Sequence, residues 1–254
     1  MSTVMMRNLE IGSGTPKVIV PIVEKTADDI AAKGALLRAC AMDVVEWRAD
    51  FYEDVFDIPK TVGTAKTLRR ILGETPILFT FRTKKEGGEK DIDMKLYLAL
   101  NTAVAQSGAV DAVDVEIFSG NAFVRENIAN IHAAGKVVVG SSHDFLRTPA
   151  KSDLIYRLRK MQDLGADLPK IAVMPTCRAD VVVLLDATQE MVGKYADRPI
   201  ITMSMGPMGV ITRMSGEVFG SAMTFGAVGS VSAPGQIPVE ELQSAMASLH
   251  RAIA

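Results

Sequence analysis

Short β-branched apolar runs alternate along this chain with longer stretches in which apolar residues recur at helical spacing. Eight runs are predicted to be strands: Lys17–Val23, Val44–Asp50, Pro76–Arg82, Ala112–Phe118, Lys136–His143, Leu168–Met174, Pro199–Met205 and Ser221–Val228. Their first residues recur every 22 to 36 positions, which is typical of repeated βα units around a parallel sheet. Eight such units favour an α/β fold, a closed (β/α)8 TIM barrel, with residues 1–254 as a single domain.

An open, doubly wound sheet is the alternative arrangement for the same alternation of elements. No glycine-rich phosphate-binding sequence follows the first predicted strand, so this alternative is less favoured. Residues 1–14 precede the first βα unit and contain Gly12 and Gly14. We expect them to form a short N-terminal hairpin that caps the floor of the barrel.

The composition excludes several classes of function. Apolar residues make up 48% of the chain, and 28 basic against 30 acidic residues give a net charge of −2, so nucleic acid and anionic membranes are not expected partners. No apolar run approaches the roughly 18 residues of a membrane span, and Arg7 and Glu10 interrupt the stretch that a signal peptide would need. Cys40 and Cys177 lack metal-ligand spacing, so we expect a reduced, cytoplasmic protein without a metal.

The most informative polar residue is Lys170, which stands near the head of the otherwise apolar run Leu168–Pro175. A charged amine in a core is costly unless it is paired or its pKa falls. An amine made neutral in this way is a nucleophile toward carbonyl compounds. Lys170 lies near the start of its strand, so its side chain could equally extend to the barrel floor.

Other polar residues collect at the carboxyl ends of the predicted strands, where barrels of this kind hold their chemistry. Alternation puts Glu46 and Arg48 on one face of a strand, and Asp114 and Glu116 on one face of another. Further candidates lie at the ends of later strands or in the loops after them: Arg82, Glu86, His143, Arg213, Ser232 and Gln236. Each has a structural alternative, such as an interior ion pair, a hydrogen-bonded histidine or an ordinary loop residue. Their convergence on one rim favours a site.

Seven segments together resemble the type I 3-dehydroquinate dehydratase family of the shikimate pathway. They are EWRAD at Glu46–Asp50, FTFRTKKEGGE at Phe79–Glu89, DVEIF at Asp114–Phe118, SSHDF at Ser141–Phe145, PKIAVMP at Pro169–Pro175, ADRPIITMSMG at Ala196–Gly206 and SAPGQIP at Ser232–Pro238. The resemblance covers nearly the whole chain. The seven segments are specific together, whereas any one of them alone would not be. Ser142 departs from the family, which more often has a bulkier residue there, and this difference could alter how the His143 ring is held. Residues 206–208 look variable, and we assign them no role.

The resemblance implies dehydration of 3-dehydroquinate to 3-dehydroshikimate through a covalent imine, without a metal or cofactor. Lys170 is then expected to attack the C3 ketone. His143, whose ordinary pKa of about 6.5 leaves it largely neutral at pH 7, is expected to remove a proton from C2 and to return it to the leaving hydroxyl. Glu86 is expected to orient the His143 ring.

The resemblance also implies a set of substrate-binding residues. Arg213, with Ser232 and Gln236 from a lid loop, is expected to bind the substrate carboxylate. The hydroxyls and ketone side are expected to contact Glu46, Arg48 and Arg82, and the arginines are expected to help lower the pKa of Lys170. Asp114 and Glu116 are interpreted as structural or supporting residues.

Two other functions stay open. A class I aldolase would also form an imine in a barrel, although this chain has no obvious glycine-rich phosphate loop near its end. A non-catalytic barrel could retain the pocket and bind a ligand without turnover. The resemblance further suggests a homodimer.

Overall fold

The computed structural model describes residues 2–253, which form a barrel of eight parallel strands surrounded by helices. A hairpin of β1 (Val4–Met6) and β2 (Leu9–Ile11) precedes it. The barrel strands are β3 (Lys17–Ile22), β4 (Val44–Arg48), β5 (Ile77–Thr80), β6 (Ala112–Glu116), β7 (Val137–Asp144), β8 (Leu168–Val173), β9 (Ile201–Ser204) and β10 (Met223–Phe225). The helices are α1 (Ala27–Leu37), α2 (Ile58–Leu72), α3 (Met94–Gln106), α4 (Asn121–Ala133), α5 (Lys151–Leu164), α6 (Arg178–Lys194), α7 (Val210–Met214), α8 (Gly216–Phe219) and α9 (Val239–Ile253).

The strands follow one another around the barrel in chain order, with β10 beside β3. The remaining gap, between β9 and β10, is closed by a parallel bridge from Ile200 to Ser221 and by the N–H of Ala222, which donates to Ile200 O at 2.8 Å. The predicted (β/α)8 barrel is therefore confirmed, and the doubly wound alternative is wrong. Each of the eight predicted strands contains one barrel strand or differs from it by a few terminal residues.

The N-terminal hairpin caps the barrel floor as predicted. Its strands are antiparallel, with Val4 opposite Ile11 and Met6 opposite Leu9. Met6 and Ile11 are fully buried, and they pack into the same cluster as the first inward residues of the barrel strands. Met1, which belonged to the predicted segment, lies outside the described residues.

Side-chain alternation divides the barrel residues into two layers. Outward residues such as Trp47, Val115 and Ile171 pack against the helices in a large apolar cluster. Inward residues near the strand starts form a separate apolar floor of Val44, Leu78, Ala112, Val139 and Leu168. Two positions further along the same strands, the inward residues are all polar: Glu46, Thr80, Asp114, Ser141 and Lys170. The barrel interior therefore changes from apolar to polar toward its upper mouth.

Two smaller expectations concern membranes and cysteines. Within residues 2–253, no helix is both long and apolar enough to cross a membrane. Cys40 and Cys177 are both unpaired thiols, partly buried and exposed respectively.

Candidate active site

A cavity of about 430 Å³ opens at the carboxyl ends of the barrel strands. Every predicted site residue except Glu86 lines it: Glu46, Arg48, Arg82, His143, Lys170, Arg213, Ser232 and Gln236. Glu86, in a short 3₁₀ helix after β5, lies behind His143 and contacts its ring. Residues from six different strands and loops thus meet at one mouth of the barrel, as the rim pattern in the sequence predicts.

Lys170 points into the barrel toward this cavity and not to the floor. Its side chain is 4% exposed, and Nζ lies 3.1 Å from Oδ2 of Asp114 and 3.9 Å from Oε1 of Glu46. The ring of Phe225 closes another side, with its centroid 4.9 Å from Nζ. Arginines were the expected charged neighbours of this amine, whereas the structure gives it two carboxylate partners.

His143 and Glu86 form a buried pair. Nδ1 of His143 lies 3.0 Å from Oε2 of Glu86, and the same oxygen accepts the backbone N–H of His143 at 2.9 Å. Because Oε2 acts as an acceptor for the backbone, we assign the Nδ1 proton to this contact, which leaves Nε2 as the acceptor of the ring.

The surroundings of this pair favour the neutral forms of both His143 and Glu86. Burial lowers the pKa of His143 well below its ordinary 6.5, and the charges of Arg82, Lys170 and Arg48 add to this effect. Burial raises the pKa of Glu86 to about 8, reinforced by the charge of Glu116 and opposed by that of Arg82. The imidazole is therefore neutral at pH 7, as a general base must be.

Arg82 joins the acidic groups beneath the cavity. Its Nη1 donates to Oε1 of Glu116 at 3.0 Å and to Oγ of Ser141 at 2.9 Å, and its Nη2 lies 3.0 Å from Oδ2 of Asp114. Nη1 is also 3.8 Å from Oε2 of Glu86. Asp114 and Glu116 are thus held through one guanidinium. In the described residues, no group of three or more His, Cys, Asp or Glu side chains is arranged to hold a metal ion.

Arg48 pairs with a residue that the sequence analysis did not identify. Its Nε and Nη2 donate to the two carboxylate oxygens of Asp50 at 2.8 and 2.9 Å, a bidentate arrangement. Asp50 is fully buried, and it also accepts backbone N–H groups of Arg82 and Glu89. The interior ion pair considered between Glu46 and Arg48 is therefore wrong. The alternation within EWRAD places Asp50 on the same face as Glu46 and Arg48, and this pattern could have identified Asp50 from the sequence.

Arg213, in contrast, has no acidic partner among residues 2–253. It is 1% exposed, its Nη2 donates to the carbonyl of Pro234 at 3.0 Å, and its Nη1 lies 3.8 Å from the sulfur of Met203. Nε is buried without a hydrogen-bond partner. Burial lowers the pKa of this guanidinium to about 10, so it remains charged at pH 7. A buried cation without a counter-charge is costly, and an anion in the cavity would neutralise it.

The lid loop, residues 230–236, closes over the cavity. Within it, the N–H of Ser232 donates to Oε1 of Gln236 at 2.9 Å, and Nε2 of Gln236 donates to Oγ of Ser232 at 3.0 Å. Arg48 Nη1 donates to the carbonyl of Ser232 at 3.3 Å, in parallel with the bond from Arg213 to Pro234. Two cavity arginines therefore hold the backbone of the loop in place.

Gly206 has a structural role that the sequence analysis did not assign. Its N–H donates to the carbonyl of Pro234 at 3.1 Å, so the lid loop rests on the turn after β9. A Cβ atom on Gly235 would lie 2.4 Å from the carbonyl oxygen of Gly206. The two backbones therefore approach closely at a point where only glycine fits.

An apolar wall completes the cavity, formed by Phe145, Met203, Met205 and Phe225. Met203 and Met205 belong to the interior apolar cluster, and the same side chains face the cavity. The sequence spacing indicates this position, because Ile201, Met203 and Met205 alternate along the strand and share its inward face.

Ser142, the departure from the family pattern, points away from the His143 ring. It is 3% exposed and accepts a hydrogen bond at 3.4 Å from Nη1 of Arg157 on α5. Strand alternation explains this position, since neighbouring residues of β7 face opposite sides of the sheet. The serine therefore affects the helix layer and does not contact the histidine ring.

Comparisons with known proteins find related sequences and structures over nearly the whole chain. The family model described as type I 3-dehydroquinase matches residues 18–253. A 3-dehydroquinate dehydratase of Escherichia coli O1:K1 is 49% identical over 252 residues, covering 99% of this chain and 100% of the relative. The type I 3-dehydroquinate dehydratase of Clostridium difficile, determined with covalent modified comenic acid, is 49% identical with a TM-score of 0.96 and 99% of both chains covered. The 3-dehydroquinate dehydratase of Geobacillus kaustophilus is 36% identical, with a TM-score of 0.96, 98% of this chain and 97% of that chain covered.

Proposed function

We propose, because the chain belongs to the type I 3-dehydroquinase family, that it removes water from 3-dehydroquinate and releases 3-dehydroshikimate. The observation that carries the mechanism is the arrangement of Lys170 and His143 in the wall of one cavity, which Arg213 also lines without an acidic partner among the described residues. An amine, a neutral imidazole and a free cation are the groups that an imine-forming dehydration of a keto acid requires.

In the proposed first stage, Lys170 forms the imine. The free amine attacks the C3 ketone to give a carbinolamine, which loses water to give an iminium ion. The iminium withdraws electrons from C2, so that a weak base can remove a C2 proton and leave an enamine. This chemistry requires neither a metal nor a redox cofactor.

In the second stage, His143 transfers the proton. Neutral His143 takes it from C2 and becomes an imidazolium, whose Nδ1 proton stays hydrogen-bonded to Oε2 of Glu86. The enamine then expels the C1 hydroxyl, which receives the proton from His143 and leaves as water. Hydrolysis of the product iminium releases 3-dehydroshikimate and restores Lys170. A positioned acid or base of this kind typically contributes about 10²–10⁴-fold to the rate.

The substrate carboxylate would bind Arg213. Its guanidinium is buried, charged and without an acidic partner in the described residues, so a carboxylate there restores neutrality. Ser232 and Gln236 would add hydrogen bonds from the lid loop. Glu46, Arg48 and Arg82 would contact the ring hydroxyls and the ketone side, although the fork of Arg48 is already engaged by Asp50.

The test is reductive trapping. The protein is mixed with 3-dehydroquinate and borohydride, its mass is measured, and the modified peptide is sequenced. We expect one covalent adduct per chain, located on Lys170, together with turnover to the conjugated enone in the absence of borohydride. Lys170→Met, which has a side chain of similar length without the amine, should show neither the adduct nor the turnover. Turnover retained by Lys170→Met would overturn the proposed mechanism.

The same experiment separates the two other functions. A class I aldolase would trap a ketone substrate but would cleave a carbon–carbon bond, so 3-dehydroshikimate would not appear. A non-catalytic ligand-binding barrel would give no adduct and no enone. The intact set of Lys170, His143 and Glu86 argues for turnover.

We propose further that the enzyme is a cytoplasmic homodimer without nucleic acid or membrane partners. The family resemblance supports the dimer and the location, and the net charge of −2 supports the absence of nucleic-acid binding. Light scattering of the purified protein should give twice the chain mass of 27.3 kDa. A monomer mass would contradict the dimer.

A further inference from the structure

Lys170 has one direct anionic partner, and that partner is Asp114. The distance from Nζ to Oδ2 of Asp114 is 3.1 Å, which is a hydrogen bond. Glu46 approaches the same nitrogen only to 3.9 Å, and its Oε1 accepts a hydrogen bond from Thr80 at 2.9 Å. Both carboxylates are buried, but only Asp114 accepts a hydrogen bond from the amine.

Asp114 is fixed from its other sides. Oγ of Ser141 donates to Oδ1 at 2.5 Å, and Nη2 of Arg82 lies 3.0 Å from Oδ2. The side chain is fully buried on β6, beneath the cavity. Two donors, one on β7 and one just after β5, therefore hold the carboxylate against the lysine nitrogen.

The carboxylate stays ionised in this environment. Burial by itself would raise the pKa of Asp114, but the charges of Arg82 and Lys170 and the hydrogen bond from Ser141 outweigh burial and lower it. At neutral pH a negative charge therefore lies beside the Lys170 nitrogen.

Imine formation conserves the positive charge at this nitrogen. The lysine ammonium and the ketone give an iminium ion and one water: a C–N double bond forms, the C–O bond breaks, and two protons from nitrogen leave on the departing oxygen. The nitrogen keeps one proton and one positive charge. It also stays attached to the Lys170 side chain, close to the position that the ammonium occupies.

We propose that Asp114 is the counter-ion of the Lys170 iminium and keeps the imine nitrogen protonated during the reaction. This inference rests on the proposed function, since it requires the imine. Only the protonated imine withdraws electrons strongly enough to acidify C2, so the counter-ion maintains the reactive form of the intermediate. An opposite charge at this range typically shifts such an equilibrium by about 1–3 pH units.

Other charged groups around this nitrogen also affect its protonation. The charged or titratable residues around it are Glu46 on β4, Arg82 after β5, Asp114 and Glu116 on β6, His143 on β7, and the more distant Arg48 and Arg213 of the cavity wall. The cations oppose protonation and the other carboxylates support it, but none of them shares the hydrogen bond at 3.1 Å.

The test measures the protonation of the imine directly. Cyanoborohydride reduces protonated imines rapidly and neutral imines slowly, whereas borohydride reduces both. With the full-length protein and 3-dehydroquinate, the ratio of the two trapping rates across pH gives the midpoint at which the imine loses its proton. For Asp114→Asn, which keeps the size of the side chain and removes its charge, we expect a midpoint about 1–3 pH units below wild type.

Two variants serve as controls. Ser141→Ala removes a hydrogen bond to Asp114 but keeps the carboxylate charge, so its midpoint should stay close to that of wild type. Glu46→Gln removes the more distant charge, and its midpoint should move less than that of Asp114→Asn, because Coulomb energy falls with distance. A merely structural role for Asp114 would change the amount of imine and leave the midpoint where it is.

A measurement on the wild type covers the case in which Asp114→Asn does not fold. The ¹⁵N chemical shift of labelled Lys170 in the imine complex reports protonation, and the same ketone with a simple alkylamine in water provides the reference. The wild-type midpoint should lie above that reference. A midpoint equal to the reference, or unchanged in folded Asp114→Asn, overturns the counter-ion role, whereas the absence of any adduct in wild type overturns the proposed function itself.

Discussion

Oε2 of Glu86 contacts His143 twice, at the backbone N–H and at Nδ1 of the ring, with distances of 2.9 and 3.0 Å. One carboxylate oxygen thus sets both the position of the histidine backbone and the tautomer of its ring. A base held in this way has a defined acceptor, Nε2, and loses little orientational freedom when a substrate arrives. The pair is also the point at which the proposed reaction is most open to test.

His143→Ala should separate imine formation from proton transfer. Lys170 and its carboxylate neighbours are untouched, so borohydride should still trap an adduct. Removal of the C2 proton loses its base, and kcat should fall by about 10²–10⁴-fold. His132→Ala is a matched control, because His132 pairs with Asp167 at 2.8 Å on the outer side of the protein. An undiminished rate in His143→Ala would rule out the proposed role.

The raised pKa of Glu86 predicts how stability depends on pH. The pKa is about 8 in the folded protein, above the ordinary value of 4.5. Between these values the folded state holds a proton that the unfolded state has released, so this group makes the free energy of unfolding decrease as pH rises. The slope is at most about 1.4 kcal/mol for each pH unit. His143 acts in the opposite direction, and its effect fades as pH rises past its ordinary value of 6.5, because its folded-state pKa is lowered.

Comparing wild type with Glu86→Gln in the window from pH 6.5 to 8 reports on Glu86, because His132, whose pKa is raised by its hydrogen bond to Asp167, titrates alike in both proteins. The free energy of unfolding of wild type and of Glu86→Gln is measured with urea in this window. As pH rises, the wild type should lose stability relative to the variant. Glu89→Gln is the control, since Glu89 belongs to the same loop but is exposed. Parallel free-energy curves for wild type and Glu86→Gln would show that the buried carboxyl does not bind the extra proton.

Arg213→Ala should weaken substrate binding. The guanidinium is the buried cation for which residues 2–253 supply no acidic partner, so we expect the substrate carboxylate to fill that role. The loss should be roughly 2–5 kcal/mol, measured as a higher KM and weaker inhibition by the product, with a smaller change in kcat. Arg251→Ala, an exposed arginine on α9, should behave as wild type. An unchanged KM would point to another anchor for the carboxylate.

The sequence was sufficient for the barrel because its information is local. Each strand is a short β-branched run, and alternation within a strand decides which residues face inward, so Glu46, Arg48 and Lys170 could be placed on the inner face. The floor hairpin followed from the two glycines and the residues left before the first βα unit.

Contacts between strands were harder to predict, because they depend on the stagger of one strand against the next. Asp114 and Lys170 are 56 positions apart, and nothing in either segment specifies that their side chains meet at 3.1 Å. Arg48 was considered beside Glu46, and its partner Asp50 was missed although it lies only two residues further along, in the turn after the strand. The docking of the lid loop on Gly206 depends on two loops whose paths no local pattern determines.

The contact between the lid loop and Gly206 depends on Gly235. Its φ is +79°, and an added Cβ would lie 2.4 Å from the carbonyl oxygen of Gly206, so Gly235→Ala is strained in its backbone and collides with a second backbone. The lid loop should move away, and Pro234 should lose its bonds from Gly206 and Arg213. We expect a higher KM and faster proteolytic cleavage within residues 230–236, with the melting temperature less affected because the loop is peripheral to the barrel. Gly229→Ala is the matched control: Gly229 has a similar φ of +71°, but its Cβ would meet only the flexible end of Lys33 at 3.6 Å. If both variants raised KM equally, backbone strain alone would explain the effect, and the contact with Gly206 would have no special part in closing the lid.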